Sequence, residues 1–512
     1  MAGLLLEKLR RKAWNSLYVF DKYVLGYEDM APQPHWELCD FIQRNGHRDC
    51  LILLPRGTFK STCITVGWVM WQLWHNPNLR FLITGGELGN SKRFLGVIRD
   101  HCEQNEVFRW VCGNWVPDRE TWHSEALHIA PRTNVGQAQD SVTASSVSTT
   151  KVSQHFDRAV IDDLVTDKTV MTKGGVEKAE DYLNLLLPIL DPQSPGSVDP
   201  GPRIVIGTRW SHVDVYARII ARDRLLTQDG RPARFAKLIR GAHNEAKTWW
   251  YFPTRFNEEY LNRLKEESGL TPYQYACQFL NNPTAEGDQP FKLSDFRFYH
   301  EKDLPPGLTT FTTIDPAIGQ TDRSDRTAIV TVSFDVDGNW YIRECKVGRW
   351  LPDRIIDELF DTWLRLHPHR VGLEDVALQF ALGLQLRKIM LERGHYISVV
   401  PLKPPTNKTK EMRIYGLSPY FVQRKIHFPA DERIATNQDK ELLINSLTGG
   451  MYVLAEQAVR YPLVGDDDDA IDALAYIPQL AFPPARPKVD TKPGARTFAE
   501  IRERLMRRRR GR

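Results

Sequence analysis

At 512 residues the chain is longer than one hydrophobic core usually supports, so two domains of roughly 200 to 250 residues are expected. Hydrophobic residues make up 42% and charged ones 26%, which argues against extensive disorder, and no uncharged run approaches the roughly 18 to 20 residues that a membrane-spanning helix needs. The net charge of +4 is uneven: residues 486–512 carry eleven Lys/Arg against three Asp/Glu, which leaves the rest of the chain mildly acidic.

MAGLLLEKLRRKAW at the start has a short apolar run followed by charges, the reverse of a signal peptide, and predicts an amphipathic helix in a cytosolic protein. The Pro-containing stretch MAPQPHWELCDFIQ leads to a strand-like run, CLILLP, Cys50 to Pro55. A polar loop, Arg56 to Lys60, then gives way to STCITVGWVMWQLWH, whose apolar positions suit a buried helix. Short apolar runs recur at FLITGG (81–86), RAVIDD (158–163) and RIVIGT (203–208), with room for helices between them. This alternation predicts an α/β domain with a mainly parallel sheet over residues 1–240.

Residues 241–290 are aromatic and charged, look helical, and form the expected connection, closing near Pro283. A second series of strands follows in TTFTTID (309–315), TAIVTVSFD (327–335) and WYIRECKV (340–347), then RVGLED and YISVVPL, with DVDG at 335–338 as a hairpin turn. Three antiparallel strands followed by helix and strand in alternation resemble the ribonuclease-H plan, expected over 291–482. Residues 483–512 read as a Pro-rich linker and a basic tail, in which TFAEIRERLMRRRRGR can form a short amphipathic helix that docks on protein or on DNA phosphates. The seven cysteines, at 39, 50, 63, 102, 112, 277 and 345, are scattered without metal-site spacing and read as reduced, mostly buried thiols.

LPRGTFKST, Leu54 to Thr62, lies where a strand gives way to a helix, so that free backbone N–H groups and the helix dipole can hold a triphosphate. Lys60 would reach the β- and γ-phosphates, and Ser61 or Thr62 would supply the hydroxyl for Mg²⁺. Leu54 and Phe59 stand at the two glycine positions of the usual G-x-x-x-x-G-K-S/T. RAVIDDL ends a strand in Asp162 and Asp163, one suited to the Mg²⁺ shell and the other to polarising an attacking water.

PRGTFKST, then HFDRAVIDDLV about a hundred residues on, then RIVIGTRWS, resemble the ATPase half of tailed-phage terminase large subunits. The resemblance makes Arg56, Gly57, Thr58, Phe59, Lys60, Ser61 and Thr62 the ATP-binding loop, Asp162 and Asp163 the Walker B pair with Asp162 on metal and Asp163 catalytic, and Thr208 the residue coupling hydrolysis to movement. Gln33 to Trp36 is a candidate adenine cradle, although Trp36 reads more readily as a core aromatic. A cation supplied by a neighbouring subunit is expected, with Lys151 or Arg132 as candidates.

In the second half Asp315 ends a strand, Glu374 follows RVGL, and GDDDDAIDALAY (465–476) leads four acids into a helix. Carboxylates gathered from such positions can hold two divalent cations for phosphodiester cleavage. They resemble the RuvC-type, ribonuclease-H-like nuclease of terminases, which implies catalytic and metal roles for Asp315, Glu374 and Asp469, with Asp325, Asp468 and Asp472 in the second rank. Lys403, Lys408, Lys410 and Arg413 form a basic stretch suited to a DNA backbone. The resemblance implies ATP with Mg²⁺, and Mg²⁺ or Mn²⁺ for the nuclease. It also implies double-stranded DNA, the portal protein and a terminase small subunit as partners, a pentameric ring of this chain on the procapsid, and action in the host cytoplasm during assembly without incorporation into the virion. Another helicase–nuclease enzyme of defence or repair and a non-catalytic DNA-binding protein are the alternative readings.

Overall fold

The computed structural model describes residues 2–117, 122–134, 139–149, 154–166, 175–193, 197–268, 270, 272–283, 289–316, 326–374, 379–402, 409–437, 439–462 and 468–484. Lys151, Asp325, Lys403, Lys408, Asp466, Asp467 and the basic tail lie outside them. The starting segment is a helix, Ala2–Asn15, and the Pro-containing stretch is another, Pro32–Asn45. On the latter the 3.6-residue period turns His35, Leu38, Cys39 and Ile42 inward and leaves Trp36 54% exposed, so Trp36 is not the core aromatic that its chemistry suggested. All seven cysteines are free, and six are buried. No helix among the described residues is long and apolar enough to cross a membrane.

Seven strands form the first sheet: β1 Cys50–Leu53, β2 Phe81–Gly85, β3 Ala126–Leu127, β4 Val142–Ala144, β5 Arg158–Asp162, β6 Arg203–Gly207 and β7 Ala236–Ile239. Their order is β3-β4-β2-β5-β6-β1-β7, parallel throughout except for the short β3. The continuous apolar runs of the sequence follow from burial on both faces. Cys50, Ile52, Val160 and Ile204 pack with Trp68 and Val69 on one side, whereas Leu51, Leu53, Ile161 and Val205 pack with Tyr182 and Tyr216 on the other. Parallel strands bring their C-terminal ends to one edge, where Leu54, Asp162 and Thr208 follow or close β1, β5 and β6.

The second sheet holds β8 Arg297–Tyr299, β9 Thr309–Asp315, β10 Thr327–Phe334, β11 Trp340–Gly348, β12 Arg370–Glu374, β13 Val399–Leu402 and β14 Ile426–Pro429. Its order is β13-β12-β9-β10-β11-β14-β8. The β9-β10-β11 meander is antiparallel, while β12 lies parallel to the other side of β9 and β13 parallel to β12, which is the plan expected of a ribonuclease-H-like sheet. DVDG closes the β10–β11 hairpin: Asp335 accepts hydrogen bonds from the N–H groups of Asp337 and Asn339, and Gly338 takes the positive φ of 74° that the turn demands.

The segment after Thr208 joins the two halves. Arg209 donates to Glu441 at 2.7 Å and to Asp214 at 3.1 Å, and His212 Nδ1 lies 2.9 Å from the other Glu441 oxygen. Tyr452 donates to the Val213 carbonyl at 2.6 Å, and its ring lies 3.8 Å beneath the Arg218 guanidinium. Burial alone would push the Glu441 carboxyl up, but the His212 hydrogen bond and the Arg209 charge outweigh it and hold the group at about 2. A depressed carboxylate stabilises the fold above its ordinary value of 4.5, and that contribution fades as the pH falls toward 2. Glu441→Gln is therefore expected to destabilise the chain at pH 7, with a gap to the native protein about 2 kcal/mol narrower at pH 3. Urea midpoints at the two pH values check this, and a gap that does not change with pH would count against it.

Candidate ATPase and nuclease sites

Along the candidate phosphate loop the Leu54 N–H donates to the Gly207 carbonyl, tying the loop to β6 at 3.3 Å. Arg56 meets Gln278 twice, through its backbone N–H to the carbonyl and through its guanidinium to the side chain, each at 3.1 Å. Thr58 is buried and donates to the Pro55 carbonyl. Gly57 and Phe59 adopt positive φ, 82° and 56°. Phe59 thus takes up the left-handed backbone for which glycine is usual, and its ring explains how, because it sits against His35 at 5.6 Å and Phe252 at 6.3 Å. Lys60 is 6% exposed and curls back toward the Leu54 carbonyl at 3.4 Å.

The chain then enters a helix that is π-wound over Thr62–Trp68 and α-helical over Val69–His75. Ser61 and Thr65 share one face and both donate to Asp162, at 2.9 and 2.5 Å. Thr62 turns the other way and lines a cavity of about 340 Å³ with Phe59 and residues 26–30. The hydroxyl beside the acidic strand is therefore that of Ser61, joined by Thr65, which sequence reasoning missed although its spacing of four from Ser61 carried the signal. Burial and the neighbouring Asp163 raise the Asp162 carboxyl to about 7, opposed by Thr65, Lys60 and Ser61. Asp163 has φ 47° and anchors its N–H on the Ile206 carbonyl at 2.9 Å. Its Oδ1 is buried with no hydrogen-bond partner.

Thr208, 5% exposed, stands directly after β6 at the same edge, next to the Arg209 contacts already described. Gln33 and Trp36 both face solvent. Arg132 is buried within its own chain, donating to the Gln139 carbonyl at 2.5 Å, and is not displayed toward a neighbour.

In the second sheet Asp315 and Glu374 each stand one residue beyond the paired Ile314 and Leu373 of parallel β9 and β12. The helix Asp469–Ala475 brings its acids to the same edge, docked by Thr313 donating to the Ala473 carbonyl at 2.7 Å and by Gln457 accepting from the Ala470 and Ile471 N–H groups. Burial, followed by the charges of Asp472, Glu374 and Asp469, raises the Asp315 carboxyl well above the usual range, with Lys410 acting the other way. Asp469 is 3% exposed and accepts from the Arg326 N–H at 3.2 Å, and Glu374 accepts from the Tyr476 hydroxyl at 2.5 Å.

The second-rank acids differ from these. Asp472 is engaged by both nitrogens of an Arg413 fork at 2.7 Å, and Asp468 by Lys410 at 2.6 Å. The two described cations of the basic stretch thus lie against the acid cluster itself. Among the described residues the oxygens of Asp315, Glu374 and Asp469 do not all come within 4.8 Å of one another, so the three share a field of like charge suited to hard divalent cations without forming a closed ligand cluster; the unpartnered Asp163 oxygen, one residue beyond Asp162, suits a nucleotide-bound Mg²⁺.

Comparison with solved structures finds the large terminase of a thermophilic bacteriophage at 13% identity, covering 84% of this chain and 92% of that one, with a TM-score of 0.30. Large terminases recur in this comparison. The ATPase domain of the Thermus phage P74-26 large terminase aligns at 15% identity over 50% of this chain and 95% of its own, TM-score 0.31. The large terminase nuclease of thermophilic phage G20c, solved with bound zinc, aligns at 15% over 37% of this chain and 96% of its own, TM-score 0.25. No protein-family model matches the sequence, and neither does any curated protein.

Proposed function

We propose that this chain is the large subunit of a tailed-phage terminase, an ATP-driven motor that moves double-stranded DNA through the portal into a procapsid and a metal-dependent endonuclease that cuts concatemeric DNA. The observation that carries the reading is that one chain holds two carboxylate sites, each at the edge of its own sheet. In the first, Asp162 is bridged to the phosphate-loop helix by Ser61 and Thr65, with Asp163 beside it. In the second, Asp315, Glu374 and Asp469 share one field.

In the motor half the loop amides and Lys60 bind the triphosphate, Ser61 and Asp162 would hold Mg²⁺, and Asp163 orients the attacking water and takes its proton. A divalent ion bound there would supply counter-charge to the triphosphate. Thr208 passes the state of the site to the adjoining Arg209–Glu441 contact. In the nuclease half Asp315, Glu374 and Asp469 would hold Mg²⁺ or Mn²⁺, which supply a nucleophile at neutral pH and a counter-charge for the leaving oxygen. Lys410 and Arg413 hold Asp468 and Asp472 in place beside that cluster. The chain acts as a pentameric ring on the portal with a small subunit that selects the DNA, in the host cytoplasm during assembly, and leaves before the virion matures.

The test is packaging with purified procapsids, portal and linear DNA. Nuclease-protected DNA is expected only with ATP and an intact Lys60. Full ATPase and cleavage activity without any protected DNA would replace the motor reading with that of a helicase–nuclease.

A further inference from the structure

The described part of residues 241–283 does more than link the halves, because Tyr251, Phe252 and Gln278 pack over the loop after β1. Phe252 packs on His35 at 4.9 Å and on Phe59, Tyr251 donates to the Pro34 carbonyl, and Gln278 holds Arg56. Three residues beyond Phe252, the Arg255 guanidinium lies 5.4 Å over the Phe59 ring. It also lies beside the loop backbone, since a Cβ placed on Gly57 would stand 3.4 Å from its Nε and Nη2. Among the described residues the Arg255 guanidinium has no carboxylate and no hydrogen-bond acceptor as partner. An exposed arginine without a counter-charge among the described residues is held beside the loop backbone by stacking on the very residue that replaces the loop's second glycine.

We infer that Arg255 is a nucleotide-contacting residue, a cation supplied in cis by the connecting segment to the terminal phosphate of a bound nucleoside triphosphate. The inference rests on the nucleotide reading of the loop given above. A planar guanidinium can donate two parallel hydrogen bonds to phosphate oxygens, and a triphosphate offers charge beyond the reach of the diphosphate left after hydrolysis. Gly57, lacking a side chain, lets the guanidinium lie close against the loop backbone, at the edge where a terminal phosphate would meet it. Phe59 then has two duties, holding the loop in its left-handed turn and seating the arginine. Triphosphate would fasten Arg255 and its neighbours Tyr251 and Phe252 to the loop, with Arg209–Asn281 and Arg209–Glu441 as the onward contacts to the second sheet.

The experiment measures calorimetric binding of Mg-ATPγS and Mg-ADP to the full chain and to three variants. Arg255→Met keeps the aliphatic stem over Phe59 and removes the charge, Arg255→Lys keeps a charge without the fork, and Lys60→Ala is the control for the loop. Arg255→Met is expected to weaken ATPγS about tenfold or more while ADP stays within about twofold, with an unchanged melting temperature and partial recovery in Arg255→Lys. Native ATPγS affinity in Arg255→Met, alongside its loss in Lys60→Ala, would reduce Arg255 to a packing partner of Phe59 and leave the loop assignment standing. Equal weakening of both nucleotides would overturn the terminal-phosphate contact. Undiminished ATPγS binding in Lys60→Ala would remove the nucleotide reading and the Arg255 inference with it.

Discussion

Asp315→Asn is expected to abolish Mg²⁺- or Mn²⁺-dependent plasmid cleavage, a fall of about a thousandfold or more, and to leave ATP hydrolysis at its native rate. The size follows from what a carboxylate does in a two-metal site: without it the ions lose a ligand that fixes both nucleophile and leaving group, and that stabilisation is worth several kcal/mol, or some three powers of ten. Asparagine keeps the shape and removes the charge, so the effect is electrostatic. The same substitution has a second, opposite signature. Asp315 is raised by burial and by the charges of Asp472, Glu374 and Asp469, and a chain relieved of one member of that crowd should melt higher without metal than the native chain does. The native protein should gain melting temperature on adding Mn²⁺, by mass action on the folded state, and Asp315→Asn should not. Plasmid nicking and thermal melting with and without Mn²⁺ read both effects. Cleavage retained in Asp315→Asn, or an unchanged Mn²⁺ shift, would break the assignment of this cluster as the nuclease centre.

The parts of the molecule legible in the sequence are those in which one local pattern fixes one structural outcome. RAVID and RIVIG are apolar runs that read as strands covered on both faces, which puts their closing residues at the sheet edge, while the roles given to Asp162 and Thr208 came from the family resemblance. Asp315 and Glu374 close strands in the same way. What could not be read is what depends on packing between distant segments. Phe59 looked like a defect in a phosphate loop, and only its contacts with His35 and Phe252 show why a phenylalanine tolerates φ 56° there. Arg255 carried no signal at all, being one arginine in a charged stretch. Asp468 and Asp472 resembled Asp469 in sequence, yet a helix turns each to a different partner, so that Lys410 and Arg413 take two of the three. Trp36 misled because aromatic chemistry says core, whereas the helical period that buries its neighbours His35 and Cys39 puts it outside.

Asp163→Asn is expected to bind ATP as tightly as the native chain and to hydrolyse it about a hundredfold to ten-thousandfold more slowly, the range that loss of a positioned general base produces. Asparagine is the informative replacement because Asp163 has φ 47°, and Asn tolerates the left-handed region nearly as well as Asp, so the backbone turn that anchors its N–H on Ile206 survives. Alanine would combine a lost carboxylate with a strained turn. The native Asp163 Oδ1 is buried and unpartnered, a cost of roughly 1 to 3 kcal/mol that a protein sustains where the lone pair is kept for something that arrives later. An amide there cannot accept the proton of an attacking water, and it gives up the anion whose burial beside Asp162 raises both the cost of the empty site and the gain from filling it with a nucleotide-bound cation. Asp163→Asn should therefore be slightly more stable than the native chain without nucleotide, bind ATP without turning it over, and move no DNA, while plasmid cleavage at the second sheet continues. Steady-state phosphate release, ATP titration and thermal melting distinguish the outcomes. If hydrolysis persists within about threefold of native, the water-activating role belongs to another acid, and Asp163 is then only the turn that ends β5.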